Sequence, residues 1–211
     1  MVEVYTVGGG EYLVNVFNAV AAWTGAGGYK SLIQVALVMG MALGVIVLAF
    51  LPAIGGGTLR DLILDQPVFW LSDTPTLLLA IAGGLTAFVF HRFLENFRPL
   101  RWADAFGLSL FAVTGAAKAM SLDHGLVVVL IMGALTASAG GLMRDVVANE
   151  EPLLLKKDIY ATAALLGAGI YFALATYGLP ETTAFTGGLA AAFTLRALAI
   201  VFKLSLPKSP F

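Results

Sequence analysis

The chain has 211 residues, 59% of them hydrophobic and only 12% charged, with a formal net charge of -1 and a mean hydropathy of +0.91. Soluble domains carry about 25% charged residues, so this composition excludes an ordinary soluble domain and indicates a polytopic membrane protein. The near-zero charge excludes a nucleic-acid partner, which needs a basic surface to neutralise phosphates, and the absence of cysteine excludes disulfides, thiolate chemistry and Cys-based metal sites.

Residues 1 to 10 contain Glu3 and neither Lys nor Arg, so they lack the basic n-region of a cleavable signal, and Met1 is read as part of the mature chain. A membrane-spanning helix needs roughly 20 apolar residues. Charged and Gly/Pro-rich breaks divide the sequence into seven candidate spans, at about 11–26, 31–66, 74–92, 101–118, 124–150, 157–178 and 182–204. The second is too long for one straight helix and carries Pro52 followed by Gly55, Gly56 and Gly57; this predicts a segment 31–54, a break, and a half-helix from Thr58 to about Gln66. The fifth predicts the same arrangement, with a break from Ser138 to Gly141 and a half-helix from Leu142 to about Glu150.

Those two interruptions are copies of one motif. Gly55-Gly56-Gly57-Thr58-Leu59-Arg60-Asp61 recurs 84 residues later as Ala139-Gly140-Gly141-Leu142-Met143-Arg144-Asp145. Around it, Thr24-Gly25-Ala26 matches Thr114-Gly115-Ala116, Lys30 matches Lys118, Pro67 matches Pro152, Asp73 matches Asp158, and Gly83-Gly84 is answered by Gly167 and Gly169. A duplication of three spans forces the second copy to enter from the opposite side, which predicts an inverted 3+3 repeat plus a seventh helix. The expected fold is therefore an all-α polytopic membrane protein with seven transmembrane helices, the second and fifth broken at glycine motifs. It forms a single transmembrane domain over 1–211, with repeats at about 11–95 and 101–178 and the seventh helix at about 182–204.

Lys30, Arg92, Arg98, Arg101, Lys156, Lys157, Lys203 and Lys208 fall on one side of this topology and Lys118 on the other, which puts the C-terminus in the cytoplasm and the N-terminus outside.

A helix broken inside a bilayer frees backbone groups that only protein or water can satisfy, so each break is expected to face a cavity able to hold a small ion or polar solute. Thr136 and Ser138, just before the second break, are candidate pore-lining groups. Arg60, Asp61, Arg144 and Asp145 are costly in hydrocarbon. Since adjacent helical residues point in different directions, Arg60 is expected to pair with Asp145 and Arg144 with Asp61. The alternatives are a direct role in permeation or gating, and snorkelling toward the surfaces, each pair lying about 10 Å from a helix end.

Lys118 and His124 flank the turn at Asp123, where they could shape ion entry or respond to pH, or simply be solvated. Arg196 is expected to snorkel to the cytoplasmic headgroups. Phe69-Trp70, Trp23 and Trp102 fit an interfacial aromatic belt. Two histidines, His91 and His124, with no metal-ligand spacing, no nucleophile elbow and no phosphate loop give no constellation for an enzyme.

The run GGGTLRDLILDQPVFWL, paired with a second GG-x-x-RD copy in a three-plus-three arrangement with a seventh span, resembles the trimeric intracellular cation (TRIC) channels, most closely their bacterial and archaeal members. The resemblance covers residues 11 to 204. It implies a homotrimer in the prokaryotic plasma membrane, each protomer holding its own pore beside the kinked second and fifth spans and conducting K⁺ and, less well, Na⁺. It assigns the kinks to Gly55, Gly56, Gly57, Gly140 and Gly141 and the charged positions to Arg60, Asp61, Arg144 and Asp145. The chain departs from animal members in having Arg60 rather than a lysine and in lacking a lysine-rich C-terminal tail, so phosphoinositide regulation is not expected. No cofactor is implied beyond permeant ions and bound lipid. The alternatives are a secondary transporter of a small zwitterion such as glycine, whose carboxylate and ammonium the same helix termini could hold, and a structural membrane protein.

Overall fold

Regular structure among the described residues is entirely helical. The structure, a computed structural model, describes residues 29–89, 99–149, 159–202 and 204, so the expected first span and the Thr24-Gly25-Ala26 copy lie outside it. Among the described residues seven helices run in the order α1 Tyr29–Ile63, α2 Phe69–Ser72, α3 Thr74–Val89, α4 Pro99–Met120, α5 Leu126–Val147, α6 Ala161–Thr176 and α7 Glu181–Phe202. Helices α1 and α3 to α7 take the places of the second to seventh expected spans; α2 is a single turn between two of them.

The expected breaks are not there. Helix α1 continues for 35 residues through Pro52 and the three glycines, and α5 runs from Leu126 to Val147 through Ser138, Gly140 and Gly141. A proline inside a membrane helix removes one hydrogen bond but need not end the helix where neighbours re-satisfy the freed groups. The glycines have a different use, close approach of two backbones.

Helices α4 to α7 pack on one another as a bundle, α1 lies along α5, and α3 lies along α1. The core is built mainly of small residues: Ala112, Ala116, Ala119, Ala163, Ala164, Ala168, Ala184 and Ala192 are sealed from the surface around Val113 and Val129. At the α6–α7 crossing, a Cβ on Gly167 would stand 3.0 Å from the Gly188 carbonyl oxygen, and one on Gly188 2.7 Å from that of Gly167. Lipid offers no hydrophobic drive between helices, so contact at this range is what holds them. Large apolar side chains point outward instead, Leu79 at 73% and Val127 at 67% exposure among them. Helices α5 and α7, 22 residues each, are long and apolar enough to cross a membrane.

Helices α1, α4, α5 and α6 close back on their own C-termini. After α1, the Gln66 N–H donates to the Asp61 carbonyl at 2.8 Å and that of Asp65 to Leu62 at 3.3 Å, with Asp65 left-handed at φ 52°. The same double closure follows α4 at Asp123 and His124, and α6 at Gly178 and Leu179. Asn149, left-handed at φ 55°, bonds back to Val146 after α5. These are Schellman ends, in which a left-handed residue turns the chain so that the last carbonyls find donors.

Candidate functional site: a glycine crossing with charged ends

Helices α1 and α5 meet through their repeated motifs. A Cβ on Gly56 would lie 2.1 Å from the Thr136 carbonyl oxygen, and one on Gly140 2.8 Å from the Pro52 carbonyl oxygen. The two contacts exchange partners: Gly56 and Gly140 are 84 positions apart, and so are Pro52 and Thr136. Gly55 sits beside them, its Cβ direction 3.3 Å from the Gly140 Cα. Thr136 is clasped from the far side as well, because a Cβ on Gly115 of α4 would meet its Oγ1 at 2.5 Å. Its hydroxyl donates to the Met132 carbonyl at 2.6 Å, and that of Ser138 to Ala134 at the same distance. Both candidate pore-lining hydroxyls are thus buried and turned onto their own helix, and the crossing is in contact.

The charges pair differently from expectation. Arg60 closes on Asp61, Nη2 to Oδ1 at 2.7 Å and Nε to Oδ1 at 2.8 Å, and Arg144 closes on Asp145, Nη2 to Oδ1 at 2.7 Å and Nε to Oδ1 at 2.9 Å. Cross-pairing between the motifs is therefore corrected to pairing within each. Side chains one apart do leave a helix in different directions, but three methylenes let an arginine fold back until Nε and Nη2 converge on one carboxylate oxygen, a charge-assisted contact about twice as strong as a neutral one. Snorkelling fails for the first pair, where the Arg60 side chain is 10% exposed and that of Asp61 1%. In the second, the Arg144 side chain is 37% exposed.

The first pair is covered by the chain that follows it. Past Pro67 the backbone doubles back, the Phe69 N–H donates to Asp61 Oδ2 at 2.9 Å, the Arg60 guanidinium lies over the Phe69 ring at 5.8 Å, and a Cβ on Gly57 would strike that ring at 2.5 Å. Trp70 is part of this cover. Its Nε1 donates to Thr58 Oγ1 at 2.9 Å, and its ring meets Phe50 edge-on. Replacing Trp70 by phenylalanine should cost about 1 kcal/mol, the net worth of one hydrogen bond. Thr58→Val, which also loses the bond from Thr58 Oγ1 to the Ile54 carbonyl at 2.8 Å, should cost at least as much and the double variant little more than Thr58→Val, read as melting temperature in detergent.

Lys118 is half-buried near the end of α4, its carbonyl accepting from Ser121 Oγ at 2.8 Å, and half-buried His124 follows the turn at Asp123; both stand apart from the crossing. Arg196 does not snorkel. It is 8% exposed, with its guanidinium over the Tyr160 ring at 5.1 Å and Nη2 3.8 Å from Asp104 Oδ2. Neither Tyr160 nor Asp104 stood out in the sequence, as a tyrosine before an apolar run and an aspartate near a helix start are both commonplace. The Phe69 cap was signalled by Pro67 beside two aromatics.

A family model described as "Glycine transporter" matches residues 101–176, and one described as "TraG-like protein, N-terminal region" matches residues 3–72. Among curated proteins, the chain is 39% identical to the UPF0126 inner membrane protein YadS of Escherichia coli K12, over 78% of this chain and 81% of that one. It is 37% identical to a UPF0126 membrane protein of Vibrio cholerae, over 78% and 70%. Among solved structures, it is similar to a chain from work on conductance through TRIC cation channels, with TM-score 0.77 and 39% identity over 81% of this chain and 85% of the other. It is also similar to the TRIC trimeric intracellular cation channel orthologue of Rhodobacter sphaeroides, with TM-score 0.69 and 36% identity over 80% and 98%.

Proposed function

The chain belongs to the TRIC cation channel family, and from that premise we propose that it is a passive channel for monovalent cations, K⁺ and also Na⁺, with a path in each protomer of a homotrimer between α1 and α5. It is an integral membrane protein, as its relatives are. The observation that carries the channel reading is the match at TM-score 0.77 to a solved TRIC cation channel. The partner exchange between Gly56–Thr136 and Pro52–Gly140 supports the inverted repeat, because a twofold axis between two copies makes every contact occur twice.

The path is a gated one. With the backbones touching at Gly56 and Thr136, conduction requires α1 and α5 to move apart, and it is this movement that would offer the Thr136 and Ser138 carbonyls and hydroxyls to an ion. Arg60 and Arg144 beside a cation path are no contradiction, since each is neutralised by the next residue. The charge bias orients the C-terminus to the cytoplasm.

The test is purified protein in planar bilayers. Unitary current steps with a reversal potential that follows the K⁺ gradient are the expected result. The match of residues 101–176 to the model described as "Glycine transporter" favours a second reading, a carrier of small zwitterions. Saturable glycine uptake into liposomes without unitary currents would establish that reading and remove the first.

A further inference from the structure

Arg196 occupies a position where its helix otherwise carries small residues. The buried face of α7 reads Ala184, Gly188, Ala192, Arg196 and Ala199, so the arginine stands in a stripe built for close packing. Burying a guanidinium is costly unless good partners repay the lost hydration. Here they do so incompletely. The Asp104 carboxylate is 3.8 Å away and its side chain 34% exposed, against about 2.7–2.9 Å for a fully formed charge-assisted bond, and among the described residues buried Arg196 Nε has no acceptor. A leucine would pack at this place without that cost, so helix packing alone does not account for the charge.

What the charge faces is the second glycine motif. Tyr160 lies between the two: one side of its ring carries Arg196, and its hydroxyl is the nearest atom to a Cβ built on Gly141, at 3.8 Å. Among the described residues the first motif has no such neighbour, and Phe69 covers Arg60 and Asp61.

We propose that Arg196 is a selectivity determinant of the channel: from a helix outside both repeats it places incompletely neutralised positive charge behind Tyr160, lowering cation occupancy at the Gly141 end, and Asp104 moderates it. This rests on the cation-channel reading. A charge of this kind acts through space, so its removal and the removal of its counter-charge have opposite effects on permeation, whereas loss of a structural salt bridge moves both variants the same way.

The experiment is the K⁺ over Cl⁻ permeability ratio from reversal potentials in a KCl gradient, for wild type, Arg196→Gln, Arg196→Lys and Asp104→Asn in planar bilayers, with melting temperature alongside. R196Q is expected to raise the ratio roughly threefold and D104N to lower it by a similar factor, the size an incompletely screened charge gives. R196K should melt lower yet keep the wild-type ratio. Should R196Q not assemble, D104N and R196K carry the test by themselves. A conducting wild type whose ratio is unchanged in D104N, or moves the same way in R196Q and D104N, overturns the role of Arg196 and leaves the channel reading intact. A wild type that passes no cation current overturns the channel reading, and this inference with it.

Discussion

Gly56→Ala is expected to lose about 3 kcal/mol of stability or more, the upper range for overpacking a rigid site. The added methyl would lie 2.1 Å from the Thr136 carbonyl oxygen and 2.9 Å from its carbon, and backbone cannot turn aside as a side chain can. Gly140→Ala should behave alike, meeting the Pro52 oxygen at 2.8 Å and the Pro52 Cα at 2.9 Å. The control is Gly83→Ala in α3, where nothing lies within 4 Å; there the better helix propensity should leave stability unchanged or raise it by up to about 1 kcal/mol. Thermal unfolding in detergent separates the cases. Equal melting temperatures for G56A and G83A would sink the close-crossing account of the motif.

Asp61→Asn carries the second large effect, about 3–5 kcal/mol, because it strands the buried Arg60 charge. The carboxylate is 1% exposed and holds three donors: Arg60 Nη2 and Nε, and the Phe69 N–H. Removing the charge together with its counter-charge, as Arg60→Met with Asp61→Asn, should recover part of the loss. Asp145→Asn should cost less, because the Arg144 side chain it releases is already 37% exposed and can turn to water or headgroups. The order of the three melting temperatures, D61N lowest, then the double variant, with D145N above D61N, checks the inequality of the two motifs.

Span positions were legible because hydropathy alone fixes them. Helix α5 at Leu126–Val147 fills the expected 124–150, and α7 at Glu181–Phe202 fills 182–204. The family was legible too, since GG-x-x-RD twice over, with PVFW behind the first copy, is a distinctive string. The state of the helix at the glycines was not. A glycine after a proline supports either a break or a close approach, and what decides is the carbonyl of Thr136, 80 residues further along the chain from Gly56. The charge pairing failed for a related reason: backbone geometry gives the direction in which Arg60 leaves its helix but not how far its flexible stem folds back. Arg196 was placed at the surface because it is near a helix end in sequence, whereas its depth is set by Tyr160 and Asp104 on two other helices. Asp65 and Asn149 as helix stops carried too weak a signal, glycine being the usual residue there.

The self-closed helix ends bear on the bilayer itself. A terminus that ties off part of its last carbonyls brings fewer bare polar groups to be met by water or neighbouring protein. Helix α6, with 16 residues, is about 24 Å long by its rise per residue, short of the roughly 30 Å core of a typical membrane. With Gly178 and Leu179 tying off its C-terminal end, that shortfall bares fewer carbonyls than an uncapped end would. At that end the polar part of the cost of hydrophobic mismatch, which sorts many proteins among membranes of different thickness, is lowered.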